Sequence, residues 1–164
     1  MEKQLLSKEA VASLEQRINS EEFSSRLYED MHLWFEDKGY NNLSKLYSKY
    51  SSEEMDHAGW SKKFLLSYGI KPKLKTIQSP EAEYKDCEDI LNTTLQHELT
   101  ITRECESLSK EALKRGEMTL FSLGQKYCTE QIEEVNKAIS LLDSYKLSSC
   151  MLLFDEYVGQ NYSL

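Results

Sequence analysis

Apolar residues along this chain recur at alternating steps of three and four, the spacing that lines one face of a helix packed in a bundle. On that pattern residues 7 to about 37 form a first helix, opened by Ser7 with Glu9 and Glu15 nearby and closed by Gly39. A second runs from about 42 to 68, with asparagines before it and Gly69 after it. The segment "GIKPKLKTIQSPEAEY" contains both prolines, Pro72 and Pro80, and has almost no helical signal. It predicts a long crossover rather than a tight turn. A third helix is expected to start near Ser79 or Glu81 and run to about Lys114, followed by the short connection "KRGEM". A fourth spans about 117 to 145, and "SSCMLLFDEYVGQ" carries a short fifth. The predicted architecture is all-α: a four-helix bundle with a long crossover between helices 2 and 3 and a short C-terminal helix.

The four core stripes do not stay apolar. The first reads Leu14, Ile18, Glu21, Ser25, Tyr28, Phe35, and the second reads Leu43, Tyr47, Tyr50, Glu54, His57, Ser61, Phe64, Tyr68. The third reads Leu91, Leu95, Glu98, Ile101, Cys105, Leu108, and the fourth Leu120, Leu123, Tyr127, Gln131, Glu134, Ala138, Leu141. Each is interrupted near its midpoint by a carboxylate, joined on the second by a histidine. A buried carboxylate costs several kcal/mol unless it is paired, protonated or bound to a metal, so about four intrusions at one level call for a shared cause. No lysine or arginine sits on a stripe near these midpoints, so the expected partner is a cation inside the bundle.

Spacing gives the chemistry. In Glu54-x-x-His57 the step of three places a carboxylate and an imidazole on one helix face, where both can reach one ion. Glu21 completes a three-ligand set. Glu98 and Glu134 come from the other helix pair, and Glu54 stands between the two groups, where it can bridge to a second ion. Oxygen ligands with a single imidazole suit iron or manganese better than structural zinc. The remaining histidines, His32 and His97, fit no such pattern.

Composition narrows the class. At 164 residues the chain fits a single domain, residues 1–164. Its formal charge of −8 argues against a nucleic-acid partner, since a duplex binder needs a basic surface to displace counterions. No apolar run is long enough to cross a bilayer, and "MEKQLLSKEA" lacks the apolar core of a secretion signal, so a cytoplasmic protein without a membrane partner is expected. Cys87, Cys105, Cys128 and Cys150 are widely spaced, with no C-x-x-C pair, and read as reduced thiols.

The same residues carry a family resemblance that covers nearly the whole chain. "NSEEFSSRLYEDM" is similar to the first-helix motif of the ferritins, "SSEEMDHA" to their E-E-x-x-H motif, "HELTIT" to the third-helix glutamate, and "YCTEQIEE" to the fourth-helix E-Q-x-E-E motif. "IQSPEAEY" resembles the end of their crossover. The closest likeness is to non-haem bacterial-type ferritins. The resemblance implies a ferroxidase that oxidises Fe(II) with O2 or H2O2 and stores the ferric product as a mineral in a homo-oligomeric shell of 24 subunits. Glu21, Glu54 and His57 then correspond to ligands of the first iron, and Glu54, Glu98 and Glu134 to those of the second, with Gln131 beside it. Glu53, Glu130 and Glu133 match a third iron site, and Tyr28 the tyrosine beside the diiron centre.

Three departures matter. Lys126 stands where related ferritins commonly have a tryptophan before the fourth-helix tyrosine. The acidic run is shorter, ending in Val135, and Ile132 occupies a position that is often histidine. Met55 occupies the place at which bacterioferritins bind haem, but their fourth-helix Glu-x-x-His is here Gln131 and Glu134, so Met55 is read as a packing or interface residue. A diiron peroxidase of the rubrerythrin kind, the alternative, normally adds a cysteine-ligated iron domain, for which this chain has neither paired cysteines nor spare length.

Overall fold

The computed structural model describes residues 5–80 and 83–164. Five helices form: α1 (Lys8–Lys38), α2 (Asn41–Ser67), α3 (Cys87–Arg115), α4 (Met118–Leu147) and α5 (Met151–Asn161), with no strand among the described residues. The all-α prediction and its four long helices hold.

Local chemistry sets the helix ends. The Ser7 hydroxyl accepts from the Ala10 amide and so caps α1, which ends at Gly39 with φ 82°, a left-handed conformation that costs glycine little. The third helix starts later than the sequence suggests. Ser79 lies outside any helix and Glu81 lies outside the described residues; the helix begins at Cys87, where the Asp86 side chain accepts from the Asp89 amide. Glu88 and Asp89 then place negative charge in the first turn, favourable at the positive end of the helix dipole. A capping aspartate is a stronger start signal than the loosely helical composition before it.

Packing explains the long crossover. α1 packs chiefly on α2, and α3 on α4. One apolar cluster, including Phe35, Leu43, Tyr47, Leu91, Leu141 and Phe154, fills one end of the bundle; a second, including Leu14, Ile18, Leu65, Cys105 and Leu120, fills the other. α1 and α4 run from the second cluster to the first, while α2 and α3 both run from the first to the second. Two successive helices that point the same way cannot be joined by a turn, so the chain must travel back along the bundle. It is strapped to α1 as it goes: Lys73 N donates to Glu15 Oε1 at 2.9 Å, and Asn19 Nδ2 to the Thr76 carbonyl at 3.0 Å.

The predicted stripes are mostly buried, with small shifts where the true helical repeat drifts from a strict three-four alternation. Leu65, Thr94 and Gly124 take the buried places next to the expected Phe64, Leu95 and Leu123. Gly124 is there because α4 approaches α3 closely: a Cβ at this position falls 2.4 Å from the Ser109 hydroxyl.

α5 closes the aromatic end. Phe154 and Val158 enter the first cluster, and the buried Asp155 reaches α2. Tyr40 offers no side-chain cap to α2, so Asp155 takes that role from a distance. Its Oδ1 accepts from Leu43 N at 2.8 Å, and its Oδ2 accepts from Asn42 Nδ2 at 3.2 Å and, more loosely, from Asn42 N at 3.4 Å. Removing this carboxylate strands a buried amide and uncaps a helix. Asp155→Ala is therefore expected to lower unfolding stability by about 2 kcal/mol in a denaturant titration, with the helix content of the folded protein nearly unchanged.

Candidate metal centre

Between the two apolar clusters lies the polar layer that the stripes predict. Glu21, Glu54, His57, Glu98, Gln131 and Glu134 are all buried, with Glu21 only 1% exposed. Every long helix contributes. Because α1 and α4 run against α2 and α3, residues near the middle of each helix meet at one level, although they are far apart in the chain.

Three groups bring metal-competent atoms within 4.8 Å of one another: Glu21, Glu54 and His57; Glu54, Glu98 and Glu134; and His57, Glu130 and Glu134. Glu54 belongs to the first two and His57 to the first and third. The structure thus juxtaposes the two ligand sets expected from spacing, with Glu54 common to both. The acidic positions outside the layer differ. Glu130 joins His57, with Oε1 3.6 Å from Nε2. Glu53 faces Lys137 at 3.7 Å and Lys49 at 4.0 Å, and neither Glu53 nor Glu133 joins any of these groups. His32 and His97 also stay outside them. His32 Nδ1 lies 2.9 Å from both the carbonyl and the hydroxyl of Ser44, whereas His97 bonds Ser24 at 2.7 Å.

The clustered carboxylates are held from behind. Tyr28 donates its hydroxyl proton to Glu98 Oε1, and Gln131 Nε2 donates to Glu98 Oε2 at 2.9 Å. Such bonds aim a carboxylate before any ion arrives. Tyr127 donates to the His57 carbonyl at 2.6 Å, and its oxygen lies 2.7 Å from the Ser61 hydroxyl.

The expectation of no basic partner is corrected here. Arg17, one turn before Glu21 on α1, is buried, and its Nε lies 2.9 Å from Glu21 Oε1. Lys137, three residues after Glu134, puts Nζ 3.0 Å from Glu134 Oε1. Both sit just off the stripes and reach the layer with long side chains, so a stripe restricted to core positions misses them. Trp60, three residues after His57, was missed for the same reason: its ring lies 4.8 Å from the His57 ring and 5.2 Å from that of Tyr127. Lys126 Nζ stands 4.0 Å over the Trp60 ring. The aromatic partner of Tyr127 thus comes from α2, and the residue before Tyr127 caps it. In each case the available signal was a spacing of three or four from a ligand.

Two tethered cations do not neutralise four carboxyl groups and their mutual repulsion. Burial, with Glu98 and Glu134 nearby, pushes the Glu54 carboxyl up to about 8. Burial also raises Glu134, to about 7 against the opposing pull of Lys137, and holds Glu21 well above its usual range despite Arg17. The Tyr28 phenol is likewise held high by burial and the Glu98 charge. Cys87 and Cys105 are free, buried and pushed up to about 12 by burial, so they remain thiols; Cys128 and Cys150 are also free. Met55 is 43% exposed, on the outside of the bundle, and no described helix is long and apolar enough to cross a membrane.

Fold and site together define a four-helix bundle whose interior carries a shared-carboxylate, single-imidazole cluster of the composition that holds metal ions. A model of the Ferritin-like domain matches residues 11–148. A probable bacterial non-heme ferritin-like protein of Haemophilus influenzae is 31% identical over 139 residues, 85% of this chain and 84% of its own. A bacterial non-heme ferritin of Escherichia coli is 28% identical over 144 residues, covering 88% and 87%. In structure the chain is similar to an open pore ferritin from the archaeon Archaeoglobus fulgidus, with TM-score 0.92 and 23% identity over 98% of this chain and 100% of that one. The chain belongs to the ferritin family.

The raised carboxyls fix the sign of a pH effect. Above the ordinary value of 4.5 the unfolded chain has released protons that folded Glu54 and Glu134 keep until about pH 8 and 7. The folded state then binds more protons than the unfolded one, so stability falls as pH rises through this window. Chelator-treated protein is expected to melt at progressively lower temperature from pH 5 to 8 in scanning calorimetry. Zn2+, which takes the place of those protons, is expected to remove the decline at the upper end.

Proposed function

We propose that this chain is a subunit of an iron-storage ferritin with ferroxidase activity. The observation that carries the reading is the sharing of Glu54 between two buried ligand groups, which supports two substrate ions held side by side. Glu21, Glu54 and His57 would bind one Fe2+, and Glu54, Glu98 and Glu134 the other. Gln131 holds Glu98 in place. Glu130 supports a further, outer iron position through its approach to His57 and Glu134. Glu53 and Glu133, matched to a third site by resemblance, gain no such support: one is turned toward lysines and the other stands apart.

The chemistry follows from the donors. Anionic oxygen ligands stabilise Fe3+ over Fe2+, so a pair of ferrous ions in this cluster is primed to give up electrons. Two Fe2+ supply the two electrons that convert O2 and two protons to H2O2, or H2O2 and two protons to two waters. Binding displaces the protons that burial keeps on Glu54 and Glu134, and these leave close to where reduced oxygen needs them. Tyr28, bonded to Glu98 and buried against Tyr47 and Tyr50, would donate a further electron.

Storage needs an enclosed volume. The family and the ferritin neighbours support a homo-oligomeric shell, which we take to be the 24-subunit form, in the cytoplasm and without nucleic-acid or membrane partners. The net charge of −8 suits a surface that concentrates ferrous ions.

Two measurements test this. Replacing Glu54 and His57 together by alanine is expected to reduce rapid Fe2+ oxidation, followed as ferric absorbance, by at least about a hundredfold; an unchanged rate sinks the ferroxidase. Size-exclusion chromatography with light scattering is expected to give a large shell that retains many irons per subunit. A small oligomer that oxidises about two irons and stops would identify a diiron redox protein instead.

A further inference from the structure

Arg17 is the one arginine buried in the interior among the described residues, and it touches a proposed ligand rather than solvent. Its Nε lies 2.9 Å from Glu21 Oε1. The other oxygen, Oε2, has no hydrogen-bond partner and points inward, 3.8 Å from His57 Nδ1. That same nitrogen is 3.1 Å from Glu54 Oε2. Oε2 is thus the Glu21 oxygen that faces His57 and has no hydrogen-bond partner of its own.

The guanidinium is anchored through one nitrogen, while Nε meets Glu21 as an ion pair without a hydrogen bond and Nη2 has no hydrogen-bond partner. Nη1 lies 3.0 Å from Glu104 Oε2 on α3 and 3.7 Å from Cys105 Sγ. The Cζ atom sits 5.8 Å from the centre of the Tyr127 ring on α4, whose hydroxyl is bonded to Ser61 and to the His57 carbonyl. Residues of three helices surround Arg17 beside a surface groove that Gln16 and Glu104 also line, and the contacts to Glu21 and Glu104 favour its staying against the layer.

We propose that Arg17 is a positioning residue that reserves one oxygen of Glu21 and so makes the Glu21–Glu54–His57 position a single-oxygen, weakened ion site. Two effects combine. Glu21 cannot chelate with both oxygens, and a fixed positive charge one carboxylate away opposes the incoming cation. At an effective dielectric of about 20, that repulsion alone weakens binding at least about tenfold. The result is asymmetry: the Glu54–Glu98–Glu134 position holds its ion more tightly, and the Arg17 side becomes the position that fills last and empties first. In a protein that must pass its product on, that side is the exit. This inference rests on the proposed role of Glu21, Glu54 and His57 as ligands.

Co2+ tests it, since cobalt is not turned over in air by this reaction and its visible bands report coordination number. Calorimetric titration of the full-length wild-type protein is expected to show two Co2+ per subunit of unequal affinity. Arg17→Gln is expected to tighten the weaker step at least about tenfold and to reduce the intensity of its visible bands as Glu21 chelates with both oxygens. Arg17→Met, which fills the space with apolar atoms, repeats the test if the glutamine packs poorly. Arg17→Lys, which keeps the charge and the Glu21 pairing, is expected to stay near wild type. Unchanged or weaker binding in both neutral variants would reduce Arg17 to a structural counter-ion and overturn the proposal. Wild-type binding that Glu54→Ala with His57→Ala leaves intact would instead remove the ligand assignment, and both readings would fall together.

Discussion

Mutual repulsion among buried carboxyl groups is the constraint on which this molecule is organised. Glu21, Glu54, Glu98 and Glu134 come from four different helices and converge where water cannot screen them. Nothing in helix packing alone asks for such a layer. The fold tolerates it through retained protons, through the tethered charges of Arg17 and Lys137, and through hydrogen bonds that Tyr28 and Gln131 aim at Glu98. Divalent ions at this level, as proposed, would relieve the same repulsion by matching positive charge to the clustered carboxylates.

The apolar clusters on either side take their meaning from that layer. Each is a modest core, and together they clamp the polar level from both ends, so that its geometry is inherited from large rigid residues such as Phe35, Tyr47, Leu14 and Leu120. The strapped crossover is the topological cost of letting α2 and α3 run in the same direction. That shared direction lets Glu54, His57 and Glu98 come from neighbouring turns of two helices, while α1 and α4 deliver Glu21 and Glu134 from the opposite sense.

Most of the site was legible because a ligand on a helix obeys the same three-four spacing as a core residue. Glu54 and His57 could be read as a pair, and Glu98 and Glu134 as interruptions, without any knowledge of their neighbours. Arg17, Lys137 and Trp60 could not, because they lie beside the stripe and enter the layer by length or breadth of side chain rather than by position. The start of α3 was misjudged for a related reason: residues near Ser79 have permissive composition, but the cap at Asp86 decides where hydrogen bonding begins. The distant cap from Asp155 to α2 joins positions 112 residues apart and has no local signature at all.

That long-range cap also makes the start of α2 depend on the end of the chain. The carboxylates and the imidazole of the central layer all precede Asp155 in the chain, so the group that caps the start of α2 comes from beyond every residue of the candidate metal layer. The start of α2 acquires its partner only when α5 folds back over it. A change at the C-terminal helix is thereby felt at the start of α2 and at the aromatic floor beneath the layer, far from it in sequence.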